Sequence, residues 1–229
     1  MGLLLFSGYG CAGEKGLVGY WTFDEGEGLV AEDDSGNENN GEIFGAFHVK
    51  GINGYALKFV AGGVVVPNSR LLSGMKELTI TLWVRAENVT RANNAGLLVK
   101  DYARGSYIIK LKFSGIQPAF FQFQRAGSGG YASVNWETPV QIEKWYYLAV
   151  VSDGNRIKLY LNGEPDAEPV FFKGDILKSD SPLWIAGNGN GVGFFSGIID
   201  EVNIYNRALS EKEIKEAFLS CHYSENNRK

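Results

Sequence analysis

Acidic residues stand near both ends of this chain, each time beside a run of apolar residues. Asp24 and Glu25 follow a run that ends at Phe23, and Asp200 and Glu201 lie within a similar run near the C-terminus. If folding brings the two runs together, their carboxylates could transfer protons, bind a metal ion or face water. Their role depends on the elements that carry them and on the face from which each side chain projects.

A loop dense in oxygen atoms follows the first acidic pair. Residues 33–41 read Asp-Asp-Ser-Gly-Asn-Glu-Asn-Asn-Gly, and the glycines and asparagines favour sharp turns. Ca²⁺ prefers six to eight carboxylate, amide and carbonyl oxygens at about 2.3–2.6 Å. Loop oxygens supplemented by Asp24 and Asp200 would meet this requirement, but the same side chains could instead bond to their own backbone in a solvated turn. The spacing does not match an EF-hand loop. The candidate metal ligands are Asp24, Asp34, Asn37, Asn40 and Asp200.

The acidic residues do not form a recognisable catalytic set. In a regular strand Asp200 and Glu201 project from opposite faces, whereas a retaining glycosidase needs two carboxyl groups about 5–5.5 Å apart on one face. We expect Asp200 to face the 33–41 loop and Glu201 to face the other way. His48 and His222 are far apart in sequence, and the chain has neither a Gly-x-Ser-x-Gly elbow nor a phosphate-binding loop. The sequence therefore predicts no enzymatic activity.

Three glycine-rich segments combine aromatic and planar polar residues. Sugar-binding sites use an aromatic ring for the apolar face of the sugar and planar polar side chains for its hydroxyl groups. The segments are 102–105, 125–137 and 188–195, any of which could instead fold back over the core. The candidate ligand-binding residues are Tyr102, Arg104, Arg125, Tyr131, Trp136 and Asn188.

The spacing of apolar residues predicts an all-β protein. Residues 78–85 alternate strictly between two faces, and Asp153-Gly154 between two apolar runs is typical of a hairpin turn. Ser210 and Glu213 form a capping box, which predicts one short C-terminal helix. Many short strands without crossover helices favour two antiparallel sheets packed as a jelly-roll β-sandwich. The predicted strands are 17–23, 55–59, 63–66, 78–85, 96–100, 106–113, 119–124, 145–151, 156–161, 183–187 and 197–205.

Composition limits the classes of partner. The chain has 229 residues, a net charge of −4 and a pI of about 5.3, without the basic clusters that nucleic acid or an anionic membrane would attract. No apolar run reaches the roughly 18 residues of a membrane span. We expect a leader or disordered tail over residues 1–15, one domain over 16–220 and a polar tail over 221–229.

Two cysteines, Cys11 and Cys221, stand near opposite ends of the chain. They could form a disulfide, Cys11 could carry a lipid after removal of a signal peptide, or both could be unpaired thiols. The apolar stretch before Cys11 has no basic n-region and is short for a signal peptide, so we expect the signal sequence to be incomplete or absent in this chain.

Four patterns in order along residues 17–218 resemble the LamG-like jelly-roll domain of the concanavalin A-like lectin/glucanase superfamily. One departure is the segment 60–63, Val-Ala-Gly-Gly, where such domains often have an Asp-Gly turn. The resemblance implies a structural calcium ion in the region of the 33–41 loop. The patterns are Gly-Tyr-Trp-Thr-Phe-Asp-Glu-Gly at 19–26 with the 33–41 loop, Gly-Tyr-Ala-Leu-Lys-Phe at 54–59 running to Val-Val-Pro-Asn-Ser at 65–69, Lys-Trp-Tyr-Tyr-Leu-Ala-Val at 144–150 with Leu-Tyr-Leu-Asn-Gly at 159–163, and Gly-Ile-Ile-Asp-Glu-Val at 197–202 with Asn-Arg-Ala-Leu-Ser at 206–210.

The first functional hypothesis is a non-catalytic, extracellular or cell-surface module that binds a polysaccharide or glycan and is stabilised by Ca²⁺. The second is an adhesion or assembly domain that binds other protein domains. The third is a glycoside hydrolase or polysaccharide lyase. Because jelly rolls serve many functions, the fold alone does not choose among them.

Overall fold

The computed structural model describes residues 14–88, 94–112, 120–127, 130–189 and 193–226, although not the side chains of Phe120 and 221–226. This part of the chain forms fifteen strands and one α-helix, which confirms the predicted all-β class. The elements are β1 Leu17–Trp21, β2 Val30–Ala31, β3 Gly41–Lys50, β4 Tyr55–Val66, β5 Leu78–Ala86, β6 Ala95–Lys100, β7 Tyr107–Lys112, β8 Phe120–Gly127, β9 Gly130–Asn135, β10 Trp145–Ser152, β11 Arg156–Leu161, β12 Glu164–Pro165, β13 Val170–Phe171, β14 Leu183–Ile185, β15 Gly197–Tyr205 and α1 Glu211–Asn226.

Every paired strand in the described ranges runs antiparallel to its neighbour, in one curled sheet. Its order is β12-β11-β10-β5-β15-β4-β14-β6-β7-β8-β9, with β1, β2, β3 and β13 attached at the sides. The two halves of this sheet face each other, as expected for the predicted sandwich. They differ from two separate sheets because hydrogen bonds connect them continuously.

Strand β4 makes this connection. Its first part pairs with β15 through Leu57–Phe59, and its second part pairs with β14 through Val64–Val66. The sequence predicted two strands with a break at 61–63, but the chain continues as one 12-residue strand. Gly62 lies so close to the neighbouring strand β3 that a Cβ atom there would be 1.9 Å from the carbonyl oxygen of Phe44. Glycine therefore permits the close approach of β3 and β4 where the sheet bends.

The main core fills the space between the two halves. It combines Ile80 and Leu82 of β5 with Ile109 of β7 and Phe121 and Phe123 of β8, all buried. The alternation seen in the sequence explains this placement, because every second side chain of a strand projects to the same face.

A second apolar cluster covers the outer face of the half that contains β5, β10 and β15. The ring of Trp83 of β5 lies 5.5 Å from the ring of Phe218 of α1 in a stacked arrangement, and Ile214 of the same helix is buried. The helix begins directly after Ser210, the first residue of the predicted capping box, and Glu213 accepts hydrogen bonds from the Ser210 amide and hydroxyl, both 2.7 Å.

The helix starts where the capping box predicts, and its length was not predicted from the sequence. Helix α1 has 16 residues and runs to Asn226, into the segment expected to be a polar tail. Residues 1–13, including Cys11, and the side chain of Cys221 lie outside what the structure describes, so the alternatives for these cysteines stay open.

The bend at Gly62 gives a test of this architecture. Gly62→Ala should lower the free energy of unfolding by about 3 kcal/mol, because the added methyl group meets backbone atoms that cannot move independently. Urea unfolding followed by circular dichroism measures the change.

Gly28→Ala is the matched control, since Gly28 has open space around it and a positive φ of 95°. This substitution should lower the free energy of unfolding only through backbone strain, by about 1 kcal/mol. Equal effects of the two substitutions would contradict the steric role assigned to Gly62.

Candidate functional site

The turn between β3 and β4, residues 51–54, lies between two carboxylates. Asp24 accepts a hydrogen bond of 2.6 Å from the amide of Tyr55. Asp200 Oδ2 accepts hydrogen bonds from the amides of Ile52, 2.8 Å, and Asn53, 3.3 Å. A Cβ on Gly54 would be 2.0 Å from Asp24 Oδ1, and one on Gly51 would be 2.3 Å from Asp200 Oδ2. The two glycines therefore make room for the carboxylates.

A β-bulge in β15 places Glu201 beside Asp200. The pairing with β5 shifts register between Asp200 and Asn203, and Glu201 has a φ of +51°. Glu201 Oε1 accepts a hydrogen bond of 3.1 Å from Asn53 Nδ2, and its Oε2 accepts one of 2.6 Å from the Tyr20 hydroxyl. The prediction that the two acids face opposite ways is therefore wrong, because the extra residue breaks the alternation of a regular strand.

The acid cluster consists of Asp24, Asp34, Asp200 and Glu201. Asp34 joins it through Thr22, whose hydroxyl donates a hydrogen bond of 2.8 Å to Asp34 Oδ2 and accepts one of 3.3 Å from the Asp24 amide. Asp200 and Glu201 are almost fully buried, whereas Asp24 and Asp34 are exposed. The sequence analysis assigned no role to Glu201. The signal for the bulge was the spacing of Ile199 and Val202, which both face the core three residues apart, whereas a regular strand repeats every two residues.

The 33–41 loop is held mainly by its own side chains. Asp33 is buried and accepts hydrogen bonds from the amides of Tyr20, 2.9 Å, Ser35, 3.0 Å, and Asn39, 2.9 Å. Asn40 Oδ1 in turn accepts the Asp33 amide at 2.8 Å. This is the internally bonded turn that the sequence left as an alternative to a metal site, and Asp33 attaches it to β1 through the Tyr20 amide. Asp200, which was expected to face this loop, instead accepts hydrogen bonds from the 51–54 turn.

The predicted metal ligands are only partly brought together. Asp24 and Asp200 flank one turn and Asp34 lies close to Asp24. Asn37 donates a hydrogen bond of 3.1 Å to the Leu17 carbonyl, at the far end of β1 from Trp21. No three Asp, Glu, His or Cys side chains in the described ranges are grouped closely enough to hold a metal ion by themselves.

One atom of the acid cluster is nevertheless buried without a hydrogen-bond partner, Asp200 Oδ1. An unpaired buried acceptor is costly. Burial, with repulsion from Glu201, raises the pKa of Asp200 to about 9. Burial also raises the pKa of Glu201, although hydrogen bonds from Tyr20 and Asn53 oppose this. Burial of Asp200 and Glu201 is therefore less costly when the carboxyl groups keep their protons or when a cation binds to them.

A second set of candidates forms an exposed surface, the tyrosine–arginine surface, made of Tyr102, Arg104 and Tyr131. It joins the turn after β6 to the start of β9. Tyr102 is 41% exposed and Tyr131 is 57% exposed. A Cβ on Gly105 would be 3.5 Å from the Tyr131 ring, so the ring lies over the turn that carries Arg104.

Arg104 is held by a buried partner. Its Nε donates a hydrogen bond of 2.8 Å to Asp101 Oδ2, which also accepts one of 2.7 Å from the Ser179 hydroxyl. Burial alone would raise the pKa of Asp101, but the hydrogen bonds from Ser179 and Arg104 outweigh it and lower the pKa. A charged Asp101 thus binds Arg104 at Nε and orients its guanidinium group, while the Arg104 side chain remains 60% exposed.

The other three predicted ligand residues are buried. Trp136 is 1% exposed and its Nε1 donates a hydrogen bond of 2.9 Å to the Tyr160 carbonyl. Arg125 donates to Ser152 and lies 4.6 Å from the centre of the Phe172 ring. Asn188 is 4% exposed. Their assignment to a surface site was wrong, because the sequence did not show which planar side chains point inward.

A shallow acidic depression shares no lining residue with either group. Glu137 and Glu168 line it, and its third carboxylate, Asp166, accepts the Glu137 amide at 2.8 Å and the Thr138 amide at 3.1 Å. No aromatic ring lines it, so it has no face for a sugar.

Sequence comparison identifies the family. A laminin G-type family model of the concanavalin A-like lectin/glucanases superfamily matches residues 60–215, more than half of the chain. The chain belongs to the concanavalin A-like lectin/glucanase superfamily. The match includes β15 but begins after the 33–41 loop. Among curated proteins, none is similar enough in sequence to be recognised as a relative.

Similar solved structures confirm the jelly-roll fold. Domain 4 of AbnA, an extracellular GH43 arabinanase from Geobacillus stearothermophilus solved with arabinotriose, is 21% identical with a TM-score of 0.68, over 88% of this chain and 97% of that one. The binding domain of Paraclostridial Mosquitocidal Protein 1 is 19% identical with a TM-score of 0.72, over 89% of this chain and 52% of that one.

A third similar structure comes from an enzyme. Trypanosoma rangeli sialidase is 21% identical with a TM-score of 0.60, over 90% of this chain but only 33% of the sialidase. The superfamily fold thus occurs in binding domains and within the chains of glycosidases, and the likeness establishes the fold alone. No helix in the described ranges is long and apolar enough to cross a membrane.

The buried acids predict a pH dependence of stability in metal-free protein. Because the folded state holds a proton on Asp200 up to about pH 9 while the unfolded state releases it near pH 4, the folded state binds more protons between these values. Stability should therefore fall as the pH rises from 5 to 8, by at most about 1.4 kcal/mol per pH unit for this group.

Thermal unfolding in chelator at a series of pH values measures this dependence. Asp200→Asn should make the dependence shallower, and Glu201, whose pKa is shifted in the same direction, should account for part of what remains. An identical slope in wild type and variant would show that Asp200 is ionised in the folded protein.

Proposed function

We propose that this chain is a non-catalytic carbohydrate-binding module that acts outside the cell and is stabilised by one calcium ion. The observation that carries the proposal is the tyrosine–arginine surface, where two exposed aromatic rings lie beside the turn that carries an anchored arginine. The extracellular arabinanase domain solved with arabinotriose supports a glycan as the class of ligand.

The chemistry of this surface suits a sugar. Tyr102 and Tyr131 offer apolar ring faces, with hydroxyl groups that can donate and accept hydrogen bonds. Repulsion between the two phenolate forms contributes, after burial, to a raised pKa of Tyr131, which indicates that the rings are neighbours. Binding should be weak and reversible, because the surface is shallow and lies on turns.

The disposition of the acids favours binding over hydrolysis. A glycosidase needs its acid and its nucleophile on either side of a bound glycosidic bond. Asp200 and Glu201 are 0% and 3% exposed and are directed at the turn of residues 51–54. A substrate cannot reach them without unfolding that turn.

The acid cluster is the place for the calcium ion. Asp200 Oδ1 is a buried acceptor without a partner, and Asp24, Asp34 and Glu201 supply further carboxylate oxygens nearby. Since these acids do not form a complete ligand set by themselves, backbone carbonyls must contribute, as is usual for Ca²⁺. The ion would compensate the charge of the buried acids and fix the turn between β3 and β4.

Glycan binding is tested by affinity electrophoresis against soluble arabinans, galactans, glucans and uronans. Tyr102→Ala and Tyr131→Ala should each weaken binding about fivefold, because an aromatic contact contributes about 1 kcal/mol. Phe171→Ala is the control, since Phe171 is 72% exposed on β13, which pairs with β11 and not with β6 or β9. Wild type that binds no glycan at millimolar protein, or equal losses in all three variants, would refute the assignment.

Calcium binding is tested by thermal unfolding with Ca²⁺ and with chelator. Wild type should gain stability in Ca²⁺ by linkage, about 2.7 kcal/mol at a hundredfold excess over the Kd. Asp200→Asn should respond little, whereas Asp166→Asn, which changes an acid of the separate depression, should respond like wild type. An unchanged melting curve for wild type, together with no metal by elemental analysis, would exclude the ion.

A further inference from the structure

Arg104 is held in a fixed orientation by Asp101, an arrangement that binding of a neutral sugar would not require. Asp101 holds Arg104 twice, through the Arg104 amide at 3.1 Å and through Nε at 2.8 Å. Asp101 itself has a φ of +58°, so the turn that presents the arginine is a fixed conformation. Among the described contacts, none uses the two terminal guanidinium nitrogens of Arg104.

A guanidinium group bound at Nε retains its outer edge for a ligand. This edge carries two parallel N–H groups, which match the two oxygens of a carboxylate. Because Asp101 fixes the orientation, less side-chain freedom is lost when a ligand binds. A neutral sugar hydroxyl would use one of the two donors and leave the other to water.

The two tyrosine rings beside the arginine turn indicate what the ligand contains besides its charged group. Tyr102 and Tyr131 are both more than a third exposed and neighbour the arginine turn. A simple anion would leave these rings in water, whereas a sugar ring that carries a carboxylate would cover them while its charged group meets Arg104. The net charge of −4 gives the whole protein no general attraction for anions, so selectivity must come from this local contact.

We propose that the tyrosine–arginine surface recognises an acidic sugar, with Arg104 as the specificity-determining residue that binds its carboxylate. The inference rests on the proposed function, since it names the class of glycan bound at that surface. A hexuronate residue within a polysaccharide and a terminal sialic acid share this chemistry and are distinguished by the ligands tested.

The experiment compares matched acidic and neutral ligands by isothermal titration and ligand-observed NMR. The pairs are trigalacturonate with its carboxyl-reduced trigalactose counterpart, and sialyllactose with lactose. Wild type should bind the acidic member of at least one pair about tenfold more tightly, as expected for one charged, partly solvated hydrogen-bond pair. The pair that shows the preference identifies the source of the carboxylate.

Three variants separate recognition from general charge effects. Arg104→Gln should abolish the preference, so that the acidic and the neutral member of the pair bind with equal affinity. Arg104→Lys should retain only part of the preference, because lysine lacks the planar fork. Lys212→Gln removes one positive charge from α1, where the side chain is 82% exposed, and should leave the preference unchanged. Circular dichroism and melting temperature confirm that each variant is folded.

The outcomes distinguish this inference from the proposed function. Equal affinity for acidic and neutral ligands, a preference that survives in Arg104→Gln, or an equal loss in Lys212→Gln would overturn the inference and leave a neutral-glycan module standing. Failure of wild type to bind any glycan of the larger panel would overturn the proposed function, and this inference with it.

Discussion

Strand β15 must bury apolar side chains on one face while it carries two adjacent acids, and the rest of the structure depends on how this conflict is resolved. Along one edge its partner changes from β4, paired through Ile199, to β1, paired from Val202. The bulge at Glu201 lies at this change. It keeps Ile199 and Val202 in the core and turns both acids toward the turn that begins β4.

This arrangement separates structural chemistry from recognition. The buried acids join three parts of the chain that are distant in sequence: the end of β1, the 51–54 turn and β15. Burial raises the pKa values of Asp200 and Glu201, whose side chains are almost fully removed from solvent. The exposed tyrosines and Arg104 belong to the turn after β6 and to the start of β9, so changes in ligand preference there need not disturb the core.

The sequence predicted the strands whose burial is regular. Strand β5 and the hairpin of β10 and β11 follow simple alternation, and both were found where expected. Strand β3 was not predicted, because it lies toward an edge with both faces partly exposed and contains Gly45, where its register with β4 shifts. Edge strands carry little of the burial that makes a strand visible in sequence.

The sequence by itself determined the fold class, the family, the capped helix and the residue types available for a site, because these follow from local periodicity and short motifs. Only the tertiary structure decided which of these residues meet. The bulge brought Glu201 beside Asp200, and curling of the sheet buried Trp136 and Arg125 while leaving Tyr102 and Tyr131 exposed. Such outcomes depend on contacts between residues far apart in the chain, to which local spacing is insensitive.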